Sequence, residues 1–152
     1  MTPDKSYISQ SEIAQLEADT KTHFLNPNAV RSQKSLGDLT GITGFGFHIM
    51  EVAPGHATTE YHLHHFEDEC LYVLEGTATA RVGDASFTIS AGDFLGFRKQ
   101  GPAHTVINTG DTVFRYIVVG ERKAQDVVDY PEAQKRLYRS AGLAPHLADL
   151  AP

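Results

Sequence analysis

His62-Leu63-His64-His65-Phe66-Glu67-Asp68-Glu69-Cys70-Leu71-Tyr72-Val73-Leu74-Glu75-Gly76 is the stretch on which the reading of this chain turns. Its second half, Glu69 to Leu74, reads as a strand closed by Glu75-Gly76, and Thr58 to His64 can extend as well. Side chains two apart in a strand share a face. His62 and His64 therefore point together while Leu63 points away. Two imidazoles on one face make half a metal site. Glu69, which opens the following strand, can add a hard oxygen; Glu67 and Asp68 in the connecting turn are its rivals. No single strand can surround an ion, so a further nitrogen must arrive from elsewhere. His104, on a later strand, is the best candidate, whereas His23, His48, His56, His65 and His146 have no matching placement.

Outward from this stretch the pattern is one of short strands. Phe45 to Val52 suits a strand and Ala53-Pro54-Gly55 breaks it. Thr77 to Val82 alternates and meets Gly83-Asp84, a hairpin signal, with Ser86 to Ser90 pairing back. Phe94 to Phe97, His104 to Asn108 and Thr112 to Val119 supply further strands, separated by turns at Ala91-Gly92-Asp93 and Thr109-Gly110-Asp111. Such spacing indicates a β-sandwich or barrel, not βαβ units. The ends read differently. Ser9 with Glu12 forms a capping box, Ile8 and Ile13 occupy staple positions, and Asn26-Pro27-Asn28 stops the helix, which predicts an N-terminal helical arm within residues 1–30. Pro131-Glu132 is a helix start and Gly142 a stop, which predicts a C-terminal helical tail over 129–152. The expectation is one domain over 1–152 with a barrel core over about 43–120.

Composition bounds the function. The chain has 152 residues, enough to bury a core without staples, and a net charge of −6, which argues against a nucleic-acid partner. The basic cluster Lys135, Arg136 and Arg139 reads as a solvated helix face. Cys70 is the single cysteine, so no intramolecular disulfide can form. No stretch approaches 18 apolar residues, and Met1 to Gln10 carries no basic-then-apolar leader, so the expectation is a cytoplasmic protein without a membrane partner.

Taken together, the motif residues resemble the cupins. The first cupin motif reads here as Gly55, His62-Leu63-His64, Glu69 and Gly76; the second reads as Gly92-Asp93, Gly101, His104 and Asn108. The resemblance selects Glu69 over Glu67 and Asp68. It implies an all-β double-stranded β-helix, the jelly-roll barrel of that family, with short helices at the two ends. It further implies one divalent metal ion per chain, Fe, Mn, Ni or Zn, held by His62, His64, Glu69 and His104. Two departures fall in loops: each motif carries one extra residue, and Lys99 replaces the usual proline. The segments Leu36-Gly37-Asp38, Gly41-Ile42-Thr43 and Asp129-Tyr130-Pro131 are similar to a group of small bacterial single-domain cupins.

Three neutral imidazoles and one carboxylate leave a net single positive charge on a divalent site, and six-coordinate geometry leaves two positions open. Strand phase turns Thr58, Glu60, Leu71, Val73, Val106 and Asn108 inward, and Cys70 and Tyr72 outward. Leu71, Val73 and Val106 read as core. Glu60 reads either as a carboxylate that orients a histidine or serves as a base, or as a solvated residue at the barrel mouth. The function expected is a metal-dependent oxygenase, isomerase or lyase of a small polar metabolite. The alternatives are a non-catalytic protein that binds a small ligand through its metal, or a barrel with a purely structural metal. Exposed sheet edges and the outward face of the Tyr72 strand predict a homodimer.

Overall fold

Alternating side chains build most of this molecule, including both of the ends read above as helical. The computed structural model describes residues 5–151; residues 1–4 and 152, the outermost parts of the expected domain, lie outside the described residues. In chain order the elements are α1 (Gln10–Gln15), β1 (Asp19–His23), β2 (Asn26–Ser35), α2 (Leu36–Leu39), β3 (Phe45–Val52), β4 (Leu63–His64) and β5 (Glu69–Glu75). They continue with β6 (Thr77–Val82), β7 (Ala85–Ser90), β8 (Phe94–Phe97), β9 (His104–Ile107), β10 (Phe114–Glu121), β11 (Gln125–Tyr130), β12 (Lys135–Ser140) and β13 (His146–Asp149).

One wall is a six-stranded sheet in the order β1-β2-β3-β10-β5-β8. The other wall is made of two pieces, β13-β12-β11-β4 and β7-β6-β9. An isolated antiparallel bridge between His62 and His104 joins these pieces at the point where the metal motif begins. The all-β jelly-roll barrel expected from the sequence is therefore present. Between the walls lies a core that includes Val52, Val73, Ala78, Ala80, Ile89, Leu95 and Phe114. Val73 is pure core, as expected, while Leu71 and Val106 are buried and also floor a cavity.

Two motif residues hold the framework. Gly76 has φ +83, and a Cβ there would lie 2.5 Å from the carbonyl oxygen of Val113. Only glycine meets both the backbone conformation and the close approach. Asn108 is fully buried; its amide nitrogen donates to the carbonyls of Val52 and Thr112, and its Oδ1 accepts from the Gly110 amide. A side chain that satisfies three main-chain groups fixes the turn after β9 to the end of β3.

The termini correct the sequence reading. The capping box is as expected: Ser9 Oγ accepts from the Glu12 amide, and the Glu12 carboxylate accepts from the Ser9 amide. The helix, however, ends at Gln15, and Asp19 to Ser35 forms the β1–β2 hairpin, so Asn26-Pro27-Asn28 opens a strand and does not close a helix. The C-terminal helical tail is likewise replaced by strands β11, β12 and β13. Pro131 to Gln134 is the turn between β11 and β12, with Gln134 at φ 53. The fixed φ of proline suits a turn as well as a first helical turn. The full ladder from Gln125–Ser140 to Tyr130–Lys135 decides for the hairpin. The strands thus extend well beyond 43–120, from Asp19 to Asp149.

Candidate metal centre

Strand alternation aims the cavity residues. β2 turns Arg31 and Gln33 inward, β3 turns Gly46, His48 and Met50, β10 turns Tyr116, Val118 and Gly120, and β5 turns Glu69 and Leu71. With Phe97 on β8 and His104 and Val106 on β9, these side chains enclose a cavity of about 370 Å³. A volume of this size suits a small metabolite.

At one side of the cavity, single atoms of His62, Glu69 and His104 lie within 4.8 Å of one another. Glu69 Oε1 is 3.5 Å from His104 Nε2, and Glu69 Oε2 is 3.8 Å from His64 Nε2. The structure therefore brings the four sequence-predicted residues together, with the three histidines around the Glu69 carboxylate. The His62 and His104 rings are 4.5 Å apart between centroids, and those of His62 and His64 are 5.1 Å apart.

Each imidazole is oriented from behind. His62 Nδ1 meets the carbonyl oxygen of Glu60 at 2.8 Å and Thr59 Oγ1 at 3.2 Å. A proton on Nδ1 leaves Nε2 as the free lone pair. Glu60 thus acts on His62 through its main chain, and its carboxylate is not part of the cavity wall. His64 Nδ1 meets Asp126 Oδ2 at 2.5 Å, which leaves its Nε2 toward Glu69. His104 stacks on Phe97, with centroids 3.6 Å apart and planes 1° from parallel. Both of its ring nitrogens are buried without a hydrogen-bond partner. Leaving such atoms unpaired costs about 1–3 kcal/mol each, and a metal at Nε2 relieves one of them. Three nitrogens and one carboxylate are a donor set suited to a divalent transition metal, so the residues present fit the ion that the motif implies.

Electrostatics keeps this cluster ready to ligate. Burial pushes the His62 imidazole down to about 3, with His104 adding to the effect, so the ring is neutral at pH 7. Burial alone would raise Glu69, but His104, His62 and His64 outweigh it and hold the carboxyl at about 2. Ligation needs neutral imidazole and ionised carboxylate, and His62 and Glu69 meet that need.

A second acidic cluster, His64, Glu67 and Asp126, adjoins the first. Arg139 pairs with Glu67 and lies 3.7 Å from Asp126 Oδ2, so a cation already fills that position. This cluster supports His64 and is not a second ion site. The sequence reading put Arg139 on a solvated helix face and left Asp126 unassigned, between the last expected strand and the expected helical tail, whereas they stand on β12 and β11. It also missed Arg31, on a segment with too few apolar residues to show a period.

Comparison with known proteins agrees with the fold and motif. The Cupin domain family profile matches residues 48–120. A crystal structure from Acidithiobacillus ferrooxidans, provisionally named a sugar phosphate isomerase, superposes with a TM-score of 0.92 at 44% identity, over 94% of this chain and 91% of that one. A cupin-superfamily sugar phosphate isomerase from Silicibacter pomeroyi superposes at 0.81 with 23% identity, over 94% and 92% of the two chains, and attests the fold. The tetracenomycin polyketide synthase protein TcmJ of Streptomyces glaucescens is 34% identical over 89 residues, 59% of this chain. That match spans only 56% of TcmJ. The chain belongs to the cupin superfamily.

Proposed function

We propose that this chain is a metal-dependent isomerase of a small phosphorylated sugar, with His62, His64, Glu69 and His104 holding one divalent ion. The observation that carries the reading is that His64, Glu69 and His104 line a cavity of about 370 Å³, with His62 clustered against Glu69 and His104 beside it. The substrate class is supported by the relative at 44% identity, provisionally named for that activity. A bound divalent ion would supply Lewis acidity to a carbonyl and its neighbouring hydroxyl.

The chain's own residues do the rest. Phe97, Leu71, Val106, Met50 and Val118 supply the apolar part of the cavity lining. His48 is the group proposed to move the proton. Burial and then Arg122 hold its imidazole below the usual value, so it is neutral and can accept a proton. Its Nδ1 is tied to Ser35 Oγ at 2.8 Å, which leaves Nε2. A Cβ at residue 46 would come within 2.6 Å of that Nε2, so Gly46 makes the space it occupies. Aldose–ketose isomerisation moves one proton between adjacent carbons and one between their oxygens. It consumes no oxidant.

The test is proton NMR of metal-loaded protein with aldose and ketose phosphates in deuterated buffer. The reading predicts interconversion with deuterium at the carbon next to the carbonyl, at equal rates with and without oxygen. It predicts loss of exchange in His48→Gln at unchanged metal content. Oxygen consumption coupled to turnover would instead mark an oxygenase, and binding without turnover a ligand-binding protein. The same proposal includes a homodimer, for which the outer face of β5 and β8 is available: Tyr72 is 44% exposed beside Phe94 at 64%.

A further inference from the structure

Three arginines line the cavity, and their charges are not equally balanced. Arg122 is paired with Asp38 at 2.5 Å, and Arg139 is paired with Glu67. Arg31 has no carboxylate within ion-pair distance among the described residues. Its Nη1 donates to the carbonyl oxygen of Thr58 at 2.9 Å, while its Nε is buried with no hydrogen-bond partner. The groups that feel its charge are rings held neutral by burial: His23, His48, Tyr116 and Tyr130. A partly buried guanidinium without a counter-charge is poorly compensated in the empty cavity.

That arrangement has a chemical reading. A guanidinium offers its donors in a rigid planar fork that matches the oxygens of a phosphate or carboxylate. One arm of the Arg31 fork is anchored on Thr58 and its Nε is buried, so Nη2, which makes no hydrogen bond and is not fully buried, is the arm left for a ligand. The anchor is also part of the metal site's support. Thr59, the next residue, contacts His62 Nδ1, and its carbonyl accepts from Thr105 Oγ1 at 2.7 Å. One short segment thus fixes both the cation and a candidate metal ligand, in the same cavity.

We infer that Arg31 is the anion receptor of this cavity and binds the phosphoryl or carboxyl group of the ligand whose other end meets the metal centre. The inference rests on the reading of the cavity as a substrate site, but it assigns a residue and a charge that the metal quartet does not. It also predicts that a neutral polyol of equal size binds far more weakly than its anionic counterpart.

The test uses the full chain stripped of metal by chelator, so that it does not depend on the metal quartet. Isothermal titration with inorganic phosphate and, separately, with acetate reads the anion site directly. The expected result is one site per chain, weakened at least tenfold in Arg31→Gln and partly restored in Arg31→Lys. Arg115→Gln, at a surface arginine facing Glu51, should bind as the wild type does. Stronger binding of phosphate assigns a phosphoryl group, and stronger binding of acetate a carboxyl group; either supports the receptor. Should Arg31→Gln fail to fold by thermal melting, Arg31→Lys carries the comparison, because loss of the fork alone should weaken binding several-fold. Wild-type protein that binds neither anion, or substituted protein that binds both unchanged, overturns the inference. Either of those results would leave metal content untouched, and so would be distinct from failure of the metal centre.

Discussion

His64 and Asp126 meet through a 2.5 Å contact between Nδ1 and Oδ2, across 62 residues of sequence. Asp126 is buried at the start of β11, and its other oxygen accepts from the Phe66 amide. The C-terminal hairpin is therefore part of the scaffold of the candidate metal centre. Burial disfavours charge on His64, but the bond to Asp126 outweighs it and raises the imidazole's pKa. A carboxylate behind a ligating histidine sets its tautomer and its aim.

Asp126→Asn should consequently lower metal affinity by about 10–100-fold, the usual cost of losing such a partner. Competition against a chromogenic chelator measures it, with the melting temperature checking that the fold persists. Unchanged affinity would show that β4 alone positions His64.

Gly76→Ala should destabilise the fold by about 1–3 kcal/mol, since it places a Cβ against the Val113 carbonyl oxygen at a left-handed backbone position. Urea unfolding measures the change. Metal affinity of the folded fraction should stay as in the wild type, because Gly76 touches none of the four candidate ligands.

Acid should weaken the fold through His23. Its Nδ1 accepts from the Leu25 amide, and its ring stacks on Phe24 and meets the edge of Tyr130. Burial, then Arg31, lowers its pKa from 6.5 to about 4. Below 6.5 the unfolded chain binds the proton more readily than the folded one, so stability falls as pH drops through the window from 6.5 to about 4. Discounted for partial exposure, the loss is on the order of 1 kcal/mol. His64 has the opposite sign, so the readout is the difference between wild type and His23→Gln in urea unfolding at pH 7 and pH 5. A slope identical in both proteins would remove His23 as the source.

The centre of this molecule was more legible than its edges, for a physical reason. Between Phe45 and Glu121 the strands carry alternating apolar residues and glycine-marked turns, and the His62–His64 spacing obeys strand pitch. In β2 the inward positions include Arg31 and Gln33, which line a polar cavity and hide the alternation. In β11 the inward Asp126 does the same, while Pro131-Glu132 imitates a helix start. The residues that support the centre, Asp126 and Arg139, thus stand where pattern reading is weakest. His48, set aside as a ligand, lines the cavity in another role because strand phase brings it there.

The most direct test of the account is elemental analysis of protein made without added metal and purified without a metal column. Wild-type protein should carry close to one divalent ion per chain and His104→Ala under about a tenth of that, because the lost imidazole removes one of four ligands. Full occupancy in His104→Ala, with the fold intact by circular dichroism, would contradict it.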